Sequence, residues 1–100
     1  WAQVERHYAQ ALALDPADVT TLRFYSFYLA YTGRAEEAIG IAQKASRLDP
    51  VSPGVQMNLG VVLYFARQFA EAVQQLQETI ELDPDFAFAH SMLGLAFLFA

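Results

Sequence analysis

Apolar residues recur along this chain with the period of a helix. Val55, Leu59, Val62, Leu63 and Ala66 follow the order i, i+4, i+7, i+8, i+11, and Phe69, Ala72, Val73, Leu76 and Ile80 follow i, i+3, i+4, i+7, i+11. Such offsets share one face of a helix with about 3.6 residues per turn. Carried along the chain, the pattern predicts six helices near residues 2–14, 19–32, 35–48, 53–66, 69–82 and 86–99, joined by short polar turns. Pro16, Pro50 and Pro84 follow Leu14-Asp15, Leu48-Asp49 and Leu82-Asp83. Proline has no amide hydrogen for an interior helical turn and drives its predecessor out of the helical region, so each marks a helix end. Asp18, Ser52 and Asp85 are the expected N-caps, with Pro53 at a first helical position. The remaining turns are Thr32-Gly33-Arg34 and Ala66-Arg67-Gln68. Gly33 can take a left-handed cap conformation, and the second turn must manage without glycine.

The prolines stand 34 residues apart. The register extends to Val4, Ala38 and Ala72; to Ala11, Ala45 and Thr79; to Leu12, Ser46 and Ile80; to Tyr25, Leu59 and Leu93; to Ser26, Gly60 and Gly94; and to Leu29, Leu63 and Phe97. A fixed period of about 20–50 residues marks stacked supersecondary units, and this one suits a helix-turn-helix solenoid. The whole of 1–100 reads as a single domain. Residues 1–16 are the second helix of one repeat, 17–50 and 51–84 two full repeats, and 85–100 the first helix of another.

These slots resemble the tetratricopeptide repeat, in which small residues mark the helix crossing and a proline closes the unit. Ser26, Gly60 and Gly94 fill the small slot of the first helix; Ala38 and Ala72, then Ala45 and Thr79, fill those of the second. Small side chains let two backbones approach and so fix the crossing. Leu22, Gln56 and His90 stand where the family often has tryptophan, and Gly40 weakens a helix interior by roughly 1 kcal/mol relative to alanine. The stretch Leu48-Asp49-Pro50-Val51-Ser52-Pro53, with Asn58-Leu59-Gly60 and Tyr64-Phe65-Ala66-Arg67, looks like repeats appended to bacterial signalling and regulator chains. The resemblance implies an all-α fold, antiparallel helix pairs stacked in a right-handed superhelical solenoid whose first helices line a concave groove. The groove positions it implies are Thr20, Arg23, Phe24, Phe27 and Tyr31; Gly54, Met57, Asn58, Val61 and Phe65; and Phe88, Ser91, Met92, Leu95 and Phe99.

The aromatic and methionine content of those positions suits a protein or peptide partner with bulky side chains, either a helix or an extended segment. The family's clamp for the C-terminal carboxylate of heat-shock chaperones uses lysines, an arginine and asparagines. Arg23 and Asn58 match it in type, but Phe27, Phe88 and Met92 fill other clamp slots and cannot donate to a carboxylate. The clamp is therefore not expected. Two other roles fit the pattern: a spacer within a longer repeat array, and a carrier of an apolar small molecule in the groove.

Composition narrows the field. The hydrophobic share of 55% suits one compact unit, and the most apolar stretch, residues 86–100, is broken by His90, Ser91 and Gly94, so no membrane insertion is expected. A net charge of −5 with only 6 Lys and Arg, all scattered, argues against nucleic-acid binding. The absence of cysteine excludes disulfides, thiolate metal sites and cysteine catalysis. His7 and His90 belong to opposite ends of the stack and cannot cooperate. Glu36, Glu37, Glu71, Glu78 and Glu81 sit at helix starts or on outward faces, where acids favour the helix dipole or face water. Asp83 and Asp85 lack the further oxygens of a calcium loop, and no phosphate loop or metal spacing appears. The chain reads as non-enzymatic, with no cofactor and no metal.

The ends carry a further expectation. The chain starts at Trp1 without a methionine and reads as a piece of a longer array. Trp1, Val4 and Tyr8 would lack the helix before them, and His90, Leu93 and Phe97 the helix after them. Residues 1–14 of one copy and 86–99 of the next would complete a repeat, which predicts head-to-tail self-association through a contact that need not close.

Overall fold

The computed structural model describes residues 2–100, and Trp1 lies outside the described residues. Among the described residues all the regular structure is helical: α1 (Ala2–Leu14), α2 (Val19–Tyr31), α3 (Ala35–Leu48), α4 (Pro53–Phe65), α5 (Phe69–Leu82) and α6 (Ala87–Phe99). The expected ends are met to within one residue.

Local chemistry explains where each helix stops. Gly33 takes φ 83°, and Arg67 takes φ 64° in the equivalent place. In both turns the amide two residues past the cap reaches back into the helix, Arg34 N–H to the Leu29 carbonyl at 2.8 Å and Gln68 N–H to the Leu63 carbonyl at 3.0 Å. Gly33 and Arg67 N–H likewise bond the Ala30 and Tyr64 carbonyls at 3.2 and 3.0 Å. This is the Schellman arrangement, with arginine doing in the second turn what glycine does in the first. At the proline turns, the Asp15 and Asp83 carboxylates accept the Ala17 and Asp85 amides at 3.1 and 3.2 Å. Each aspartate thus holds a turn around the proline that follows it.

The caps differ in part from expectation. Ser52 does cap α4, its Oγ accepting the Val55 amide at 3.4 Å. Asp18 holds the cap position of α2, but its carboxylate accepts the Thr21 hydroxyl at 2.8 Å and no backbone amide. The N-cap of α6 is Phe86 rather than Asp85, one residue later than expected and in step with Asp18 and Ser52 at the 34-residue spacing.

Helices pair α2 with α3 and α4 with α5, while α3 also meets α4 and α5 meets α6. The first helices of the pairs touch one another, α2 to α4 and α4 to α6, whereas no contact joins α1 to α3 or α3 to α5 among the described residues. Elements that touch on one side of a stack and separate on the other make it curve, so α2, α4 and α6 line the inner face.

One apolar core runs through the stack, with Leu29, Ala38, Ala42, Val62, Ala72, Leu76, Ala89 and Ala96 wholly inaccessible; a smaller one gathers Leu22, Ala45 and Val55. The central helix α4 is buried from Val55 to Leu63, flanked by α2 and α6 and backed by α3 and α5. Gly60 is the close approach: a Cβ there would lie 2.7 Å from Leu76 Cδ2. At the other extreme α1 has no buried residue. It rests on Tyr8, whose ring stacks 5.1 Å from Tyr25, and on an ion pair from Glu5 to Arg34.

The slots where tryptophan is common are filled in different ways. Leu22 is buried in the smaller core. Gln56 is buried as a polar hub: its Oε1 accepts the Ser46 hydroxyl at 2.8 Å and Gln75 Nε2 at 2.9 Å, while its Nε2 donates to the Asp49 carbonyl at 3.2 Å. His90 is exposed, and since a carbonyl can only accept, its Nε2 donates to the Pro84 carbonyl at 2.8 Å.

Candidate functional site

The inner face of α2, α4 and α6 divides into a floor and a rim. Phe24 (58% exposed), Tyr31 (73%) and Phe88 (50%) stand clear of the surface, with Phe65 and Leu95 also exposed. Phe27 is half-buried and packs against the main core. The expectation of an open stripe is corrected at Met57, Asn58, Val61 and Met92, all of which are buried. Spacing puts them on the right side of their helices, but α2 and α6 close over the flanks of α4. They form the floor.

Polar groups in that floor are few and specifically placed. Ser26 Oγ donates its single hydrogen to the Arg23 carbonyl at 2.7 Å, so it can only accept from Asn58 Nδ2 at 3.0 Å. That fixes the Asn58 amide and leaves its Oδ1 buried without a partner. The Arg23 guanidinium crosses from α2 to the start of α4, where its Nη2 lies 3.3 Å from the place a Gly54 Cβ would take. Arg23 Nε is buried without a partner.

Aromatic rings run along the C-terminal ends of the first helices. Tyr31 lies 5.1 Å from Phe65, Phe65 lies 5.6 Å from Tyr64, and Tyr64 lies 6.2 Å from Phe99. Phe69 closes the set, 5.6 Å from Tyr64 and stacked 5.4 Å from Phe99. Tyr64, Phe65, Phe69 and Phe99, together with Arg67, bound a cleft of about 290 Å³. Sequence reasoning placed Phe65 and Phe99 on the inner stripe but missed Tyr64, Phe69 and Arg67. The signal was available: a turn without glycine puts an unusual side chain where its neighbour repeat has none.

One arginine is firmly held by acids. Arg34 donates to both carboxylate oxygens of Glu37, from Nη2 at 2.8 Å and from Nε at 3.1 Å, and also pairs with Glu5. Those hydrogen bonds hold the Glu37 carboxyl below its ordinary pKa and raise that of Arg34. The described residues contain no cluster of three His, Cys, Asp or Glu placed to hold a metal, and no helix is long and apolar enough to cross a membrane.

Comparison with known proteins places this geometry in context. The sequence profile of the tetratricopeptide repeat matches residues 29–95. The chain is 35% identical over 66 residues to the Hsp70-Hsp90 organizing protein of Triticum aestivum, covering 66% of this chain and 11% of that protein. It is 29% identical over 77 residues to small glutamine-rich tetratricopeptide repeat-containing protein 2 of Mycosarcoma maydis, covering 77% of this chain and 22% of that one. In structure it is similar to a mutant O-GlcNAc transferase of Thermobaculum terrenum, with TM-score 0.85 and 29% identity over 92% of this chain and 18% of the transferase. The chain spans between 11% and 22% of the length of these three proteins.

Proposed function

The chain belongs to the tetratricopeptide repeat family, and from that premise we propose that it is a protein–protein interaction scaffold, seating a peptide or helix of a partner on the inner face of α2, α4 and α6. The observation that carries this reading is the exposure of Phe24, Tyr31, Phe65, Phe88 and Leu95 above a floor that is already packed. A folded core has no use for rings held in water, and a set of them on one face suits a partner with bulky side chains. Similarity to a protein named as an organizer of Hsp70 and Hsp90 supports binding as the general role. The chaperone-tail mode does not transfer, since Phe27, Phe88 and Met92 offer no donors where a carboxylate clamp needs them. The role is binding rather than catalysis.

The test is a selection of peptides from a random display library on the 100-residue chain, followed by affinity measurements on Phe24→Asp and Phe88→Asp. Burying one aromatic side chain contributes about 1.5–3 kcal/mol, so each variant should weaken selected peptides by about tenfold or more while the melting temperature holds. Phe27 is a poorer probe because its ring also serves the core. Peptides that bind both variants as well as the parent would remove the inner face as the site and leave the spacer role.

A further inference from the structure

We propose that the cleft bounded by Tyr64, Phe65, Arg67, Phe69 and Phe99 is an anchoring pocket for a bulky apolar side chain flanked by an acidic residue within a partner segment. The proposal deepens the inner-face reading and rests on it, because the cleft lies at the end of the same helices.

The internal repeat supplies a control. One period earlier the five positions hold Ala30, Tyr31, Gly33, Ala35 and Phe65. Three of the five have become much larger in the second copy, and all three line the cleft. The helix stop alone does not call for this. Gly33 makes the same Schellman turn at φ 83°, and Arg67 makes it at φ 64°, a region that L-residues enter only against steric resistance. An outlier of this kind is a pointer to function.

Charge tells which occupant fits. The guanidinium of Arg67 makes no hydrogen bond or ion pair among the described residues, whereas Arg34, at the same end of the stack, is held by Glu5 and Glu37. A free guanidinium beside apolar rings selects a carboxylate next to an apolar group, since its fork matches the carboxylate oxygens. Glu71 lies at the same edge without bonding Arg67, so one adjacent acid fits better than a run of them. The rings continue past the cleft through Phe65 to Tyr31, which suits a segment passing across the cleft rather than ending in it.

Fluorescence polarisation with short labelled, C-terminally amidated peptides tests this. They carry a Glu-Trp, Lys-Trp or Glu-Ala core, and a fourth ends on Trp with a free carboxylate. The Glu-Trp peptide should bind about tenfold more tightly than the Lys-Trp or Glu-Ala peptides, the size of one charge-assisted hydrogen bond or one buried ring. Arg67→Gly should abolish the preference over Lys-Trp without loss of fold, because glycine suits that backbone. Phe99→Ala, at an exposed ring, should weaken every Trp peptide. Equal binding of Glu-Trp and Lys-Trp, a preference that survives Arg67→Gly, tighter binding of the free-carboxylate peptide, or no binding of any Trp peptide would each overturn the pocket. If Arg67→Gly changes nothing while Phe24→Asp abolishes capture, the pocket fails and the inner face stands. If Phe24→Asp changes nothing while Arg67→Gly does, the inner-face reading fails instead.

Discussion

Gln56 occupies the slot that Leu22 fills one repeat earlier, and the exchange replaces apolar packing by hydrogen bonds that tie α3, α4 and α5 together. A buried amide is tolerated only when its partners are in place. Gln56→Ala removes the hub and opens space around it, leaving the Ser46 hydroxyl without its acceptor and Gln75 with only the residue-56 carbonyl, at 3.4 Å. It should cost about 2–4 kcal/mol in a denaturant titration, and a loss below about 1 kcal/mol would mean the network contributes little. At the surface the Arg34–Glu37 pair makes a pH prediction. Hydrogen bonding lowers the Glu37 pKa in the fold, so its stabilisation is present above the unfolded-state pKa and disappears as pH falls through the folded one. An NMR titration should find the Glu37 carboxyl below its ordinary pKa, with Arg34→Gln restoring it; an unmoved midpoint in the variant would exclude Arg34 as the cause.

At the scale of the helices, three glycines separate packing from propensity. Gly60 and Gly94 occupy the same slot, but an added Cβ meets Leu76 at 2.7 Å in the first case and nothing within 4 Å in the second. Gly40 has equally open surroundings inside α3. Gly60→Ala should therefore destabilise by about 1–3 kcal/mol through overpacking, while Gly40→Ala and Gly94→Ala should each stabilise by about 0.5–1 kcal/mol through helix propensity. Thermal melts of the three variants decide it, and a stabilised Gly60→Ala would show that the crossing is looser than the structure has it. Much of this level was legible in the sequence, because helical period and proline stops are local. What gave way was side-chain preference: Asp85 is the better capping residue, but the repeat register, carried from Asp18 and Ser52, leads to Phe86. The candidate site was legible as a stripe, but spacing along one helix cannot tell that its neighbours close over Met57, Asn58, Val61 and Met92.

For the molecule as a whole, the register carries beyond the chain's own pairs. On α4, Gly60 and Leu63 are buried, Gly60 directly beneath Leu76 of α5. The same slots on α6 are Gly94 and Phe97, both exposed, with Leu98 exposed beside them. In the repeat register Ala72 and Leu76 correspond to Val4 and Tyr8 of α1; the first pair is wholly buried, whereas Val4 is exposed and Tyr8 half-buried. Laying α1 of a second copy along α6 would reproduce the α4–α5 pairing with Tyr8 over Gly94, where the open glycine leaves room for a ring. We propose on this ground that the 100-residue chain associates head to tail. Because the two surfaces differ, the contact need not close, and a stack built on the α4–α5 geometry should extend with concentration. Sedimentation velocity should show the weight-average mass climbing through a ladder of species, and Val4→Asp or Phe97→Asp, both at exposed positions, should return the monomer without lowering the melting temperature. A constant monomer mass would show that these faces are tolerated in water. A dimer that forms and stops would point to a symmetric contact, with α1 against α1 or α6 against α6, and would sink the head-to-tail geometry.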